Sequence, residues 1–112
     1  MWEVLDTQEY REWRASLSDR DKARLVRLQQ RLATDGPRLG RPHVDSVSGS
    51  KHSNMKELRP SPTLRGFFAF DSERRAILLC GGDKAGIGGR SWYNKMVRQA
   101  DALFDRHLTT SS

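Results

Sequence analysis

Cysteine is nearly missing from this chain, and its single copy, Cys80, has no partner for an internal disulfide. Cys80 closes the most apolar run, residues 76–80, where a thiol reads as a packing residue. No cation adjoins it in sequence to activate it as a nucleophile. That run is also the longest apolar one and far too short to span a bilayer. Glu3 and Asp6 interrupt the start, so no secretory leader is expected and the chain reads as cytoplasmic. Histidine is scarce too. His43 and His52 fall in one loop, His107 is remote, and no Cys, Asp or Glu stands at a ligand spacing with them. No metal site is expected from that pattern. The glycines between 81 and 89 match neither GxxxxGK[ST] nor GxGxxG, which argues for a loose linker or a hinge beside a ligand and against a nucleotide cofactor. There is no nucleophile-elbow sequence, no internal repeat and no heptad pattern.

Positive charge is what the chain has in excess: 20 Lys+Arg against 14 Asp+Glu, a net of +6. Residues 1–37 carry seven basic and seven acidic side chains, residues 38–90 ten and five, and residues 91–112 three and two. The surplus therefore concentrates in 38–90, as an electrostatic footprint for a polyanion requires. At 112 residues the chain is one domain, expected over 1–108, with 109–112 a disordered tail.

Taken in order, residues 2–5 read as a short strand. Tyr10, Trp13 and Leu17 then recur at i, i+3 and i+7, one stripe of an amphipathic helix. Ser18 opens a second helix, with Asp21 three residues on, and Leu25, Leu28 and Leu32 form its stripe before Gly36-Pro37 stops it. The pair should form a hairpin that lays its apolar seam on a sheet. Residues 38–54 read as a long donor-rich loop containing Lys51 and His52. Three strands follow in an antiparallel meander. The first is 55–59, ended by Pro60 and Pro62; the second 65–71, led by Arg65 and rich in Phe; the third 76–80, stopped by Gly81-Gly82. Ser91 can cap a last helix bearing Met96, Ala100, Leu103 and Phe104 at helical spacing. The class is α+β.

Lys56, Arg59, Arg65, Arg74, Arg75 and Lys84 sit at the strand ends of the meander. Cleavage of RNA by its own 2′-hydroxyl needs a base, an acid for the leaving 5′-oxygen and cations around the crowded phosphorane. Because the RNA supplies the nucleophile, this chemistry requires neither a metal nor a covalent residue. Arg65, Lys84 and Arg59 are the candidate phosphate binders, and Tyr93, His52 and Lys56 the candidate proton carriers. Lys51, Arg74, Arg75 and Arg90 complete the candidate RNA-binding set. Singly, each reads as a solubilising surface cation; their clustering carries the reading.

The order of elements, with Leu39-Gly40-Arg41-Pro42, Glu57-Leu58-Arg59, Arg65-Gly66-Phe67-Phe68-Ala69-Phe70, Gly82-Asp83-Lys84 and Gln99-Ala100-Asp101, resembles the RelE/ParE superfamily of bacterial toxins. The local motifs fit its HigB-like, phage-derived branch, over residues 1–108. The resemblance implies a microbial-RNase-like fold and, in many members, ribosome-dependent endonucleolytic cleavage of mRNA. It also implies a cognate DNA-binding, HigA-like antitoxin that brings the toxin to operator DNA. Carried over by position, Arg59 matches the Arg of the Glu-Leu-Arg element, Arg65 the phosphate-contacting Arg of the central strand, and Lys84 the basic residue closing the next strand. Two departures stand out. Gly81-Gly82-Asp83-Lys84 stands where the family often has an aromatic residue and paired lysines, and the terminal Tyr or His of some members has no clear counterpart, leaving Tyr93 and His107 as stand-ins. Two other functions stay open: a ParE-like inhibitor of DNA gyrase, and an inactive toxin-like protein acting with its antitoxin in operon autoregulation.

Overall fold

In the computed structural model, residues 1–86 and 88–111 are described. Strand β1 (Glu3–Asp6) leads through Thr7 into helix α1 (Gln8–Ala15). The Thr7 hydroxyl accepts from the Tyr10 N–H at 3.0 Å, which caps the helix, and donates to the Leu79 carbonyl at 2.6 Å, which ties that cap to the sheet. Helix α2 (Asp19–Asp35) starts at Ser18, whose hydroxyl accepts from the Asp21 N–H at 3.2 Å. It stops at Gly36, where φ is +57° and a Cβ would overlap the Trp2 indole; only glycine suits both conditions. Strands β2 (Val44–Ser46), β3 (Met55–Leu58), β4 (Leu64–Phe70) and β5 (Arg75–Asp83) precede helix α3 (Gly89–Ser111).

The sheet order is β1-β5-β4-β3-β2, with β1 parallel to β5 and the other neighbours antiparallel. Each face has its own core. Tyr10, Leu25, Leu28 and Leu32 of α1 and α2 pack on Leu58, Phe68, Phe70, Ala76 and Leu78. Met96, Val97, Ala100, Leu103 and Phe104 of α3 pack on Met55, Phe67, Ala69, Ile77 and Leu79. Helices on both sides leave every residue of β4 buried, so its sequence is a near-continuous apolar run without polar alternation.

Several expectations are corrected. The meander gains a strand, β2, inside the expected loop 38–54; its three residues are too short to show a period. The third meander strand does not stop at Gly81-Gly82 but runs to Asp83. The register explains those glycines. Phe67 faces Cys80 and Phe68 faces Leu78, so Leu79 is the extra residue of a β-bulge. Leu79 and Cys80 therefore both join the α3 core, and beyond them the alternation is reset. A Cβ on Gly81 would run into the Trp13 ring, and one on Gly82 would come within 2.9 Å of Trp92. These glycines make room for indoles and do not form a linker. Leu17 lies beyond α1 yet still packs on the core. Helix α3 begins at Gly89, so Ser91 is inside its first turn rather than its cap. The tail expected from residue 109 is helical through Ser111, with the Thr109 and Thr110 hydroxyls donating to the Asp105 and Arg106 carbonyls. Ser112 lies outside the described residues, as does Ile87 in the expected flexible connection.

Candidate functional site

The polar residue most deeply placed in the sheet is Glu57 on β3, 2% exposed. Strand alternation points Met55 and Glu57 toward α3 and sends Leu58 to the opposite core. A carboxylate buried this far needs partners, and Glu57 has three. Arg59 Nε donates to Oε2 at 2.8 Å, and Arg65 Nε lies 3.2 Å from the same oxygen. The Tyr93 hydroxyl donates to Oε1 at 2.7 Å.

Each partner arrives by a separate route. Arg59 follows the last residue of β3, where its N–H donates to the His43 carbonyl at 2.8 Å, and its Nη2 reaches Asp45 at 3.3 Å. Arg65 lies on β4 opposite Gly82, near Arg59 because Leu58 pairs with Gly66. Its Nη1 donates to the carbonyls of Leu64 (2.8 Å) and Ser61 (3.2 Å), which aims the guanidinium toward the end of the sheet. Tyr93 comes from the first turns of α3, with its ring edge-on to Phe67 at 5.8 Å. Trp92 lies over Gly82 beside it.

Burial, with the neighbouring Arg59 charge, lowers the Arg65 pKa, against the opposing pull of Glu57. Burial and then the hydrogen bond to Glu57 push the Tyr93 phenol well above its ordinary value, so it stays protonated at neutral pH. Asp45 is held low, first by the Ser46 N–H and then by Arg41 and Arg59. The result is a cluster in which two guanidiniums and a phenol share one carboxylate.

The sequence-derived residues divide into those near this cluster and those elsewhere. Lys84 is exposed two residues past Gly82, with its N–H donating to the Thr63 carbonyl at 2.9 Å, at the same sheet end as Arg65. Arg90, in the first turn of α3, is exposed three residues before Tyr93. Lys56 alternates away from Glu57, and its Nζ donates to Ser46 Oγ at 3.2 Å.

Arg74 and Arg75 are at the other end of the β4–β5 hairpin, about 17 Å from Arg65 along the strand. Both have structural partners there. Arg74, at φ +60°, stacks on the Trp2 ring at 4.8 Å, and Arg75 pairs with Asp71 at 2.8 Å. Lys51 and His52 dock on α3 instead: both reach Asp105, at 2.5 and 2.8 Å, and His52 stands edge-on to Phe104. Asp105 is 12 residues from Tyr93, about 18 Å along the helix. His107 pairs with Asp71 at 3.0 Å, also far from Arg65. Cys80 is buried, and burial pushes its thiol up to about 12, consistent with packing and not nucleophilic chemistry. Among the described residues no three His, Cys, Asp or Glu side chains gather to hold a metal ion, and no helix is long and apolar enough to cross a membrane.

Glu57 is absent from the sequence-derived candidates, although it begins the Glu-Leu-Arg element. The available signal was a lone carboxylate in a strand of the basic meander, two residues before Arg59. Asp45 is absent from them too, because β2 itself was invisible.

A five-stranded sheet with this order, a helix pair on one face and a C-terminal helix on the other defines a RelE-like α+β fold. One chain of the archaeal RelE–RelB complex from Pyrococcus horikoshii OT3 superposes with a TM-score of 0.61, covering 75% of this chain and 96% of that one. Sequence identity there is 13%, so that likeness is one of fold. The chain belongs to the phage derived protein Gp49-like family, whose profile matches residues 12–105. It is 51% identical over 80 residues to putative toxin HigB3 of Mycobacterium tuberculosis (strain ATCC 25618 / H37Rv), an alignment covering 70% of this chain and 69% of HigB3. Putative toxin HigB2 of the same strain is 48% identical over 81 residues, covering 69% of this chain but 40% of HigB2. The chain thus matches less than half the length of HigB2. The resemblance to the HigB-like, phage-derived branch is borne out.

Proposed function

We propose that this chain is the toxin of a type II toxin–antitoxin system and acts as a ribosome-dependent mRNA endonuclease. The observation that carries this reading is the Glu57 hub. In a chain about half identical to two proteins named as toxins, one buried carboxylate holds Arg59, Arg65 and Tyr93 at a single sheet end. In this mechanism the scissile phosphate sits against Arg65, with Arg59 and Lys84 adding positive potential where the phosphorane gathers charge. The Tyr93 hydroxyl takes the 2′-hydroxyl proton as it passes its own to Glu57, whose carboxylate then holds it. The 2′-oxygen attacks phosphorus and the bond to the 5′-oxygen breaks; the departing 5′-oxygen takes a proton from water, leaving a 2′,3′-cyclic phosphate and a 5′-hydroxyl. The partner is an antitoxin, since the fold's likeness extends to a chain from a RelE–RelB complex.

Mapping of mRNA 5′ ends in a purified translation system tests this, with wild type, Arg65→Lys and Tyr93→Phe compared. New ends that need ribosomes, and that fall at least tenfold in both variants, are the expected result. Undiminished cutting by Tyr93→Phe removes the relay. If wild type makes no new ends, the interferase reading fails and a gyrase supercoiling assay becomes the next measurement.

A further inference from the structure

Helix α2 carries a second basic surface outside the Glu57 cluster. Arg20, Arg24, Arg27 and Arg31 recur every three or four residues, so they share about 60° of the helix circumference. The acidic residues that make residues 1–37 neutral include Asp19 and Asp21 at the helix start and Asp35 at its end. Pairing with the arginines is loose, at 3.6 Å for Arg24–Asp21 and 3.7 Å for Arg31–Asp35. Between this stripe and the end of β3 lies a groove of about 320 Å³, lined by Arg24, Arg27, Leu28, Arg31, His43, Arg59 and Pro60. No carboxylate is among these lining residues. Arg59 belongs to both places: its guanidinium holds Glu57 and Asp45, and it forms part of the groove wall.

We infer that this groove is a second RNA-backbone site, continuous through Arg59 with the Glu57 cluster, and that it carries the nucleic acid flanking the scissile phosphate. The inference deepens the nuclease reading and rests on it. Three features favour RNA over an acidic protein segment. The strong cations here are all arginine, whose planar fork matches phosphate bidentately and stacks on bases. Arg24, Arg27 and Arg31 rise about 4.5 and 6 Å along the helix, steps on the scale of successive phosphates. The apolar floor is only Leu28 and Pro60, too little for the repeated anchors by which an amphipathic helix docks in a groove.

The test uses the chain carrying Tyr93→Phe, without ribosomes, so that cleavage does not consume the probe. Binding of a labelled single-stranded RNA oligonucleotide is followed by fluorescence anisotropy across a KCl series, with and without Arg27→Ala/Arg31→Ala. Both arginines are exposed, and a thermal melt confirms that the double variant folds. The expected result is an affinity loss of about tenfold and a log–log salt slope shallower by about 1.4, the value for two lost phosphate contacts on a single strand. Arg27→Lys/Arg31→Lys should keep the slope, because it keeps the charge. An unchanged affinity and slope in the alanine variant overturns the inference. So does a labelled poly-glutamate peptide that wild type binds and the alanine variant does not, with RNA binding unaffected; the groove then serves an acidic protein. 5′-end mapping separates the two readings. Ribosome-dependent ends with an unaltered salt slope sink the groove alone, whereas an altered slope without new ends sinks the nuclease alone.

Discussion

Glu57 has consequences for every residue that touches it. Breaking a buried ion pair by deleting one partner typically costs about 3–5 kcal/mol, because the remaining charge is left short of compensation. Arg65→Ala should fall at the lower end, about 3 kcal/mol, since Arg59 and Tyr93 still contact Glu57. That variant therefore loses stability together with its phosphate-binding cation. Urea denaturation decides: a midpoint equal to wild type would show that the Arg65–Glu57 contact contributes nothing to stability. Tyr93→Phe removes one hydrogen bond to a charged group, about 1.5–3 kcal/mol, and should lower the melting temperature while preserving the near-UV spectrum. The proton relay needs this smaller change, because the ring and its contact with Phe67 survive it.

At the level of elements, β5 is the member whose sequence says least about its packing. Its bulge lets Leu79 and Cys80 share a face, and its last residues are glycines because Trp13 and Trp92 press on them from opposite sides. Gly81→Ala should destabilise by about 1–3 kcal/mol, the usual range for overpacking a fitted core. Trp13→Leu in that background should restore part of the loss by opening space for the new methyl. If Gly81→Ala melts as wild type does, the indole is not packed against the strand as described. Helix α3 is also held at points that sequence periodicity cannot show. Ser50 and the Lys51 N–H bind Asp101 at 2.5 and 3.2 Å, and Lys51 and His52 bind Asp105. Ser50, Lys51 and His52 thus clamp the helix, Lys51 and His52 being the two expected to face RNA.

Across the whole molecule, two faces of one sheet carry two separate cores, and polar links close the far end. Asp71 accepts from the N–H groups of Glu73 and Arg75, from Arg75 Nε, and bonds His107. Burial opposes its ionisation, but these hydrogen bonds outweigh burial and hold its carboxyl below the ordinary range. Its folded pKa is depressed, so its contribution is complete above the unfolded value of about 3.9 and fades as pH falls through that value toward the folded one. Stability measured by urea denaturation should drop over that acid limb, and Asp71→Asn should flatten the drop while lowering stability at neutral pH. An acid limb of the same steepness in Asp71→Asn would assign the acid sensitivity elsewhere, for example to Asp105, whose carboxyl Lys51 and His52 also hold low.

The sequence alone determined what local chemistry dictates. Helical stripes in α1, α2 and α3, the Ser18 cap, the stop at Gly36, and the aromatic run of β4 and aliphatic run of β5 follow from backbone periodicity and steric preference. Those signals act within a few residues, so they survive without knowledge of the fold. Arg59 and Arg65 also stand out in the sequence as candidates, through the motifs that contain them, whereas Tyr93 enters only as a stand-in proton carrier. Only the tertiary structure decided that Glu57 unites them, because its partners lie 2, 8 and 36 residues away and meet through strand register and helix docking. The same holds for β2, a three-residue strand made by pairing with β3, and for Gly81 and Gly82, whose neighbours are distant indoles. Charge shows the difference most simply. A count over residues 1–37 is neutral, yet the turn of an α-helix gathers its arginines on one side and leaves its acids at the ends.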